Sequence, residues 1–207
     1  NSRYKLWYKE EFVCFSPEHF VIISNGKIRS FPMKGTIDAT MPDAENIILN
    51  DVKETAEHYT IVDLIRNDLS MVSQRVRVER FRYFDTIGTN EKRLLQVSSE
   101  ICGEMEEGYL SAIGDIIFSL LPAGSVSGAP KKKTTEIIAS AEGIPRGYYT
   151  GIAGLFDGRN LNSGVLIRFI EKRDNGYFYR SGGGITSFSE PLSEYNEMID
   201  KIYVPVI

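Results

Sequence analysis

Two-residue turns between short runs of β-forming residues are the feature that most restricts how this chain can fold. Segments 21–23 and 27–29 flank Asn25-Gly26, and Asn-Gly is a strong signal for a β-hairpin. Asp157-Gly158 and Asn175-Gly176 are turn pairs of the same kind, and they separate the predicted strands of a β-meander at 151–156, 161–170 and 177–180. Because a tight turn joins antiparallel neighbours, both regions predict antiparallel sheet.

Helical patterns fill the middle and the end of the chain. Residues 43–69 contain no Pro or Gly, and Asp43 is of a type that caps helix N-termini, so we predict one or two helices there. Further helices are predicted at 110–121, 131–141 and 190–202, and strands at 76–83 and 93–102. This succession of strands and helices predicts an α+β layered fold with antiparallel sheet.

Charge, cysteine content and hydropathy narrow the class of protein. The formal net charge of −4 disfavours general nucleic-acid binding, which needs a basic face. Cys14 and Cys102 form no CxxC pair, so we predict buried thiols in a reducing compartment, the cytoplasm, rather than a disulfide or a zinc site. No apolar run approaches the roughly 18 residues of a membrane span, so no membrane partner is predicted.

Two pairs of glutamates stand on predicted helices. Glu54 and Glu57 are three residues apart, as are Glu194 and Glu197, so each pair points from one helical face. If the two helices meet, four carboxylates converge and require a cation, for which Mg²⁺ is the natural hard partner. The alternative is that both pairs lie on solvated helix faces.

Two glycine-rich segments and one arginine are further candidates. Residues 124–131 precede a predicted helix but lack the Gly-Lys-[Ser/Thr] ending of a phosphate loop, which excludes a nucleotide site of that kind. Gly182-Gly183-Gly184 offers backbone N–H groups that suit a carboxylate, although simple tight turns are the alternative. Arg168 lies in an apolar run and must either point outward or meet an anion. We interpret His19 and His58 as structural.

Several segments occur in a characteristic order along residues 15–207. They are Ser16-Pro17-Glu18, Pro32-Met33-Lys34-Gly35-Thr36, Ala56-Glu57-His58, the run from Ile61 to Leu69, the run from Gly124 to Lys131, Arg146-Gly147-Tyr148-Tyr149-Thr150-Gly151, Ile167-Arg168, Gly182-Gly183-Gly184-Ile185 and Glu194-Tyr195-Asn196-Glu197. This ordered set resembles the chorismate-utilising enzymes. The resemblance implies one chorismate-binding catalytic domain over residues 1–207, with antiparallel sheets layered face to face and helices packed outside.

The resemblance also implies roles for individual residues. It implies that Glu57 and Glu197 hold Mg²⁺, with Glu54 and Glu194 in support. It implies substrate contacts from Gly35, Thr36, Ser125, Ser127, Lys131, Tyr149, Arg168, Gly183 and Gly184. The substrate would be chorismate, whose enolpyruvyl carboxylate would lie on Arg168, Tyr149 and the Gly183-Gly184 backbone.

One position within the resemblance separates branches of the family. Anthranilate and isochorismate types usually carry Ala where this chain has Lys34, whereas Pro-x-Lys-Gly-Thr resembles the branch that makes 4-amino-4-deoxychorismate for 4-aminobenzoate and folate. That branch implies a covalent nucleophile at Lys34, a general acid at Glu18, and a glutamine amidotransferase partner that supplies ammonia.

Two departures from the family pattern leave alternatives open. Gln96 stands where the family often has His, and most of the N-terminal part of the family domain is missing, so we expect the C-terminal portion of a longer protein. An anthranilate synthase is the first alternative, although Lys34 and Gln96 argue against it. A non-catalytic chorismate-binding fragment is the second.

Overall fold

Two antiparallel sheets and six α-helices make up the part of the protein that the computed structural model describes, residues 2–88 and 93–202. The strands are β1 Tyr4–Tyr8, β2 Phe12–Ser16, β3 His19–Ser24, β4 Lys27–Ser30, β5 Met33–Asp38, β6 Gln74–Gly88, β7 Arg93–Glu104, β8 Ile152–Phe156, β9 Leu161–Val165, β10 Phe169–Arg173 and β11 Gly176–Arg180. The helices are α1 Ala44–Asn50, α2 Val52–Ser70, α3 Ile113–Ser119, α4 Gly124–Ser127, α5 Lys131–Glu142 and α6 Pro191–Asp200. The predicted α+β class with antiparallel sheet is therefore confirmed.

A seven-stranded sheet forms the centre of the molecule. Its strands run in the order β5-β7-β4-β3-β9-β8, and β6 pairs with the other edge of β7. The predicted hairpin is β3–β4, whose turn residues Asn25 and Gly26 have φ of 52° and 70°, a left-handed conformation that these two residue types accept readily. Helix α2 packs on β5, β6 and β7, and buries Ile61, Val62, Ile65 and Leu69 in the main core.

The predicted meander is wrong as a single sheet. Strands β8 and β9 belong to the seven-stranded sheet, whereas β10 and β11 join β1 and β2 in a four-stranded one. The predicted strand 161–170 breaks after Val165, and Arg168 at the crossing has a φ of 55°. Both halves of the segment are buried, so the sequence shows an uninterrupted apolar run although the chain changes sheets. The crossing places Arg168 between the two sheets rather than on a strand.

One apolar stretch needs a correction as well. Tyr109–Ser127 is long and apolar enough, by length and composition alone, to cross a membrane, with a mean hydropathy of 1.5. In the structure this stretch is not one helix: a 3₁₀ turn at Tyr109–Ala112 leads into α3, and Leu121 and Pro122 separate α3 from α4. Ile116, Leu120 and Ala123 of this stretch are buried in the main core, whereas Phe118 is 80% exposed.

Cys14 and Cys102 are buried free thiols, as predicted. Burial, which disfavours the thiolate, raises the pKa of the Cys14 thiol to about 11. These cysteines therefore serve as small apolar core residues.

Candidate active site

Lys34 projects from an irregular part of β5. The pairing of β5 with β7 shifts between Met33 and Thr36, and Gly35 in this bulge has a φ of 85°. A Cβ on Gly35 would lie 3.2 Å from Ile48 Cδ1 of α1, so glycine serves both the backbone conformation and the close approach of that helix. The Lys34 Nζ donates to Glu57 Oε2 at 2.8 Å, across a separation of 23 residues in the chain.

The start of α2 supplies the acidic wall of the site. Asp51 caps this helix, because its Oδ1 accepts the backbone N–H of Glu54 at 2.8 Å. Burial, and next the neighbouring Glu57 carboxylate, raise the pKa of Glu54. The second oxygen of Glu57, Oε1, is buried and has no hydrogen-bond partner. A buried carboxylate oxygen without a donor leaves room for a cation at this place.

The glycine segment that precedes α6 closes the opposite side. A Cβ on Gly184 would lie 3.5 Å from Lys34 Nζ, and one on Gly183 would lie 3.5 Å from Glu194 Oε2. Glu194 is only 6% exposed and accepts hydrogen bonds from Ser189 Oγ at 2.6 Å and Lys53 Nζ at 3.0 Å. The Ser189 hydroxyl first, and then Lys53, lower the pKa of Glu194, so this carboxylate is ionised at neutral pH.

Glu18 lies where the chain passes from β2 to β3. Burial raises the pKa of its carboxyl group, and the hydrogen bond from Ser125 and the charges of Arg168 and Lys34 offset this only in part. Glu18 is therefore a partly buried carboxyl group, with a raised pKa, in electrostatic contact with the Lys34 amine. A raised pKa favours the protonated form of Glu18, the form that can deliver a proton to a substrate.

A basic and aromatic group lies beside Glu18. Tyr149 is 9% exposed, and its hydroxyl would lie 3.1 Å from a Cβ on Gly182. Burial raises the pKa of Tyr149, and the nearby guanidinium groups of Arg146, Arg180 and Arg168 act in the opposite direction. Positive charge and a phenol donor next to a glycine backbone form a suitable cradle for a carboxylate.

Four predicted site residues make their described contacts elsewhere. Glu197 pairs with Lys201, with its side chain 52% exposed, so the predicted convergence of four carboxylates is not present in this conformation. Ser127 Oγ donates to the Ala123 carbonyl at 2.9 Å, and Thr36 is exposed, in β-pairing with Gln96. Lys131 Nζ binds Asp68 Oδ2 at 2.7 Å and the Leu120 carbonyl at 2.9 Å. Mg²⁺ binding by Glu197 and direct substrate contacts from the other three residues stay predictions.

The described acidic residues do not form a preformed metal site. Among residues 2–88 and 93–202, no group of three or more His, Cys, Asp or Glu side chains is close enough together to hold a metal ion. The ammonium groups of Lys34 and Lys53 instead neutralise Glu57 and Glu194. A cavity of about 330 Å³ opens beside this arrangement and is lined by Gly183, Ile185, Ser189, Pro191, Glu194, Tyr195 and Met198.

Lys53 and Ser189 were not identified from the sequence. Lys53 immediately precedes Glu54 on α2, and Ser189 lies two residues before α6. Each binds Glu194, and the Lys53 contact spans 141 residues of chain. A lone lysine and a loop serine carry no sequence signal of such a distant contact, although Lys53 is adjacent to the predicted Glu54.

Comparison with known proteins shows the family and the fold of this chain. The family described as chorismate binding enzyme matches residues 1–206. In the solved structure of anthranilate synthase component I from Streptococcus pneumoniae, the matching part is 28% identical with a TM-score of 0.82, and it covers 97% of this chain and 45% of that one. The fold of this chain is thus that of the matching part of an anthranilate synthase component I.

Sequence relatives are longer than this chain. An uncharacterised PabA-like protein of Haemophilus influenzae is 56% identical over 206 residues, which is 100% of this chain and 63% of the relative. Anthranilate synthase component 1 of Aquifex aeolicus is 35% identical over 90% of this chain and 38% of its own length. Aminodeoxychorismate synthase component 1 of Bacillus subtilis is 34% identical over 93% and 42%. Overall identity therefore does not distinguish the two reactions.

Proposed function

Because this chain belongs to the family of chorismate binding enzymes, we propose that it combines chorismate with ammonia to form 4-amino-4-deoxychorismate. The chain spans 63% of the Haemophilus influenzae relative and smaller shares of the two synthases, so the proposal concerns the part of such a protein that carries the reacting groups. A glutamine amidotransferase subunit is the proposed source of ammonia, and the cytoplasm the proposed compartment.

One observation carries the choice of reaction. A lysine amine and a carboxyl group with a raised pKa share one site: Lys34 Nζ lies 2.8 Å from Glu57, and the charge of Lys34 acts on Glu18, whose pKa desolvation raises. An amine supplies a nucleophile, and a protonated carboxyl group supplies the acid that a poor leaving group such as a ring hydroxyl needs. A site that only binds chorismate would not need this pair.

The substrate's carboxylates have two complementary places in the site. Arg168, Tyr149 and the backbone of Gly183 and Gly184 would hold the enolpyruvyl carboxylate, since they combine positive charge with N–H and O–H donors. Ser125, whose hydroxyl already faces Glu18, would add a polar contact to the ring. The ring carboxylate would then lie toward Glu57.

The proposed reaction has two displacement steps. Lys34 Nζ forms a bond to C2 of the ring while the ring double bonds shift and the C4 hydroxyl leaves as water, with its proton taken from Glu18. Ammonia then attacks C4, the double bonds shift back, and the C2–N bond to Lys34 breaks. Lys34 must be neutral to attack, so its ion pair with Glu57 has to open first.

Mg²⁺ is the cation we propose for the acidic wall. Glu57 has a buried oxygen without a donor, and Glu54 and Glu194 lie in the same site, so these carboxylates fit a hard divalent ion once they leave the lysines. Glu197 would have to leave Lys201 to join them. When bound, the ion would neutralise the substrate's ring carboxylate.

Anthranilate synthesis is the second candidate, because relatives of both kinds match at almost the same identity. The two reactions give different products: anthranilate is fluorescent and forms with release of pyruvate, whereas 4-amino-4-deoxychorismate keeps the enolpyruvyl group. The presence of Lys34 favours the second product.

Product analysis tests the proposal. The protein is incubated with chorismate, Mg²⁺ and an ammonium salt, and products are separated and identified by mass. We expect 4-amino-4-deoxychorismate without pyruvate from the unaltered protein and from Lys132→Ala, an exposed lysine of α5, and loss of product in Lys34→Ala. Full turnover by Lys34→Ala would show that Lys34 is not the nucleophile. Formation of fluorescent anthranilate would show that the protein makes anthranilate instead of 4-amino-4-deoxychorismate.

A further inference from the structure

An arginine of β6 binds the junction between α1 and α2, where the acidic wall begins. The Nη2 of Arg82 donates to the Leu49 carbonyl and to Thr55 Oγ1, each at 3.0 Å, and lies 3.4 Å from the Ile48 carbonyl. Thr55 Oγ1 itself donates to the Leu49 carbonyl at 3.2 Å. One guanidinium group therefore bridges the end of α1 and the start of α2.

The last carbonyl groups of α1 need donors from outside the helix, as at every helix C-terminus. This helix ends at Asn50, and only Asp51, with an extended backbone at ψ 119°, separates it from α2. The sequence of α1 contains no Lys, Arg or His. Because the C-terminal end of a helix attracts cations, Arg82 supplies from β6 the positive charge that α1 lacks.

A bulge in β6 holds Arg82 in place. The register of β6 against β7 shifts between Arg80 and Tyr83, and Arg82 within this interval has a φ of 48°, which is uncommon for a residue other than glycine. The backbone N–H of Arg82 donates to Ser99 Oγ at 3.0 Å, and the same oxygen lies 2.7 Å from Nε2 of the buried His58 on α2. Hydrogen bonds thus fix both the backbone and the side chain of Arg82.

The junction that Arg82 binds contacts both sides of the proposed reaction site. A Cβ on Gly35, the neighbour of Lys34, would lie 3.2 Å from Ile48 Cδ1 at the end of α1 and 3.4 Å from Glu54 Oε2 on α2. The next turn of α2 carries Glu57, which accepts the Lys34 amine at 2.8 Å. A shift at the start of α2 would therefore move the two carboxylates relative to the lysine.

We propose that Arg82 is a positioning residue of the active site: its guanidinium fixes the α1–α2 junction and thereby holds Glu54 and Glu57 in place opposite Lys34. Arg82 does not touch substrate in this account. The kinetic consequence rests on the proposed function, because it requires Lys34 and the carboxylates to act on chorismate. The structural part stands by itself, because it concerns only the start of α2.

Substitutions at Arg82 are compared with the same substitutions at Arg80, two residues away on the same strand. The Arg80 side chain is 56% exposed, pairs with Glu100 of β7 at 2.9 Å and lies over the Tyr83 ring, so its described contacts are all within the β6–β7 pair. Met keeps most of the aliphatic stem, and Lys keeps the charge without the planar fork of donors. Melting temperatures and circular dichroism establish that each variant is folded, and the Lys pair is used if Arg82→Met does not fold.

Hydrogen exchange tests the structural part without any substrate. We expect the amides of residues 54–58 to exchange at least about tenfold faster in Arg82→Met than in Arg80→Met, and at least about threefold faster in Arg82→Lys than in Arg80→Lys. The amides of residues 65–69, at the far end of α2, should differ by less than about threefold within each pair. Equal exchange at 54–58 within a pair, or equal acceleration along the whole of α2, overturns the inference, whether or not the protein makes 4-amino-4-deoxychorismate.

Kinetics test the consequence. A misplacement of about 1 Å can cost about 100-fold in rate, so we expect kcat of ammonia-dependent turnover to fall about 10- to 100-fold in Arg82→Met. The Mg²⁺ concentration that gives half the maximal rate should rise about tenfold, because Glu54 and Glu57 no longer keep their relative positions. Both quantities should stay within about threefold in Arg80→Met. A lower kcat with an unchanged Mg²⁺ requirement, or equal losses in both variants, contradicts a positioning role. If Lys34→Ala turns over normally while the exchange result holds, the proposed function fails and the structural inference survives.

Discussion

Replacing Lys131 with Met should destabilise the protein by leaving a carboxylate buried without its counter-charge. Lys131 and Asp68 form an ion pair at 2.7 Å, with side chains 19% and 7% exposed, and Lys131 also donates to the Leu120 carbonyl. Met keeps most of the aliphatic stem, so the change removes the charge more than the packing. The pair joins the first residue of α5 to α2, and α5 follows closely on α4, which carries Ser125, the residue that faces Glu18.

The expected loss follows from the burial of both partners. Removing one member of a buried pair typically costs about 3 to 5 kcal/mol, and the partial exposure of Lys131 favours the lower end, about 3 kcal/mol at pH 7.5. Burial already raises the pKa of Asp68, and Lys131 opposes that rise. Without Lys131, the pKa of Asp68 in the folded state lies further above its value in the unfolded state, so folding favours the protonated form of Asp68. The loss should therefore shrink as the pH falls toward that raised pKa.

Urea unfolding at pH 7.5 and at pH 5 measures this loss. Lys132→Met, on the exposed neighbour of the same helix, should change the unfolding free energy by less than about 0.5 kcal/mol. The double variant Asp68→Asn with Lys131→Met removes both charges and should recover the stability to within about 1 kcal/mol. The reasoning is refuted if Lys131→Met costs no more than Lys132→Met, or if the double variant is no more stable than Lys131→Met alone.

Two further predictions concern glycines and a histidine. Gly154→Ala should lower the melting temperature, with a loss of about 1 to 3 kcal/mol, because the new Cβ would lie 2.7 Å from Ser163 Cβ and 2.9 Å from the Asn162 carbonyl across the β8–β9 pair. A Cβ on Gly114 in α3 would meet no atom within 4 Å, so Gly114→Ala should raise the melting temperature, with a gain in stability of about 0.5 to 1 kcal/mol. A higher melting temperature for Gly154→Ala than for Gly114→Ala would contradict the packing described. Burial, and then Arg3, lower the pKa of His19 to about 4, so the neutral ring is favoured on folding, and its contribution is present above about pH 6.5 and lost as the pH falls. His19→Gln should accordingly reduce the fall in unfolding free energy between about pH 7 and pH 5 by about 1 kcal/mol, because solvent screens part of the effect at this partly exposed ring. An unchanged pH dependence would show that His19 titrates normally.

Local chemistry explains which parts of the fold the sequence could predict. The β3–β4 hairpin depends on Asn25 and Gly26, residues that accept positive φ, and its signal is complete within a few residues. The change of sheet between β9 and β10 has no such signal. Val165 and Phe169 are both 1% exposed, so burial continues across the crossing and the residues look like one strand. A change of sheet that depends on packing against strands distant in the sequence produces no periodic pattern of apolar residues.

The same distinction holds at the site. The spacing of Glu54 and Glu57 predicted one acidic face on α2, and the structure places both carboxylates there. The partners of these carboxylates come from far along the chain: Lys34 reaches Glu57 over 23 residues, and Lys53 reaches Glu194 over 141. Only the resemblance to a family suggested that α6 meets α2. The resemblance also suggested Glu197 as a metal ligand. Glu197 pairs with Lys201 in the structure, so its role as a ligand stays a prediction.

The proposed chemistry depends on a covalent bond to Lys34, and mass spectrometry after incubation without ammonia tests it most directly. With chorismate and Mg²⁺ present but ammonia withheld, the first displacement can proceed and the second cannot. The account predicts a protein heavier by chorismate less one water, with the added mass on the peptide that contains Lys34 and lost again when an ammonium salt is added. An unmodified Lys34 in a sample that still forms 4-amino-4-deoxychorismate once ammonium is supplied would contradict it.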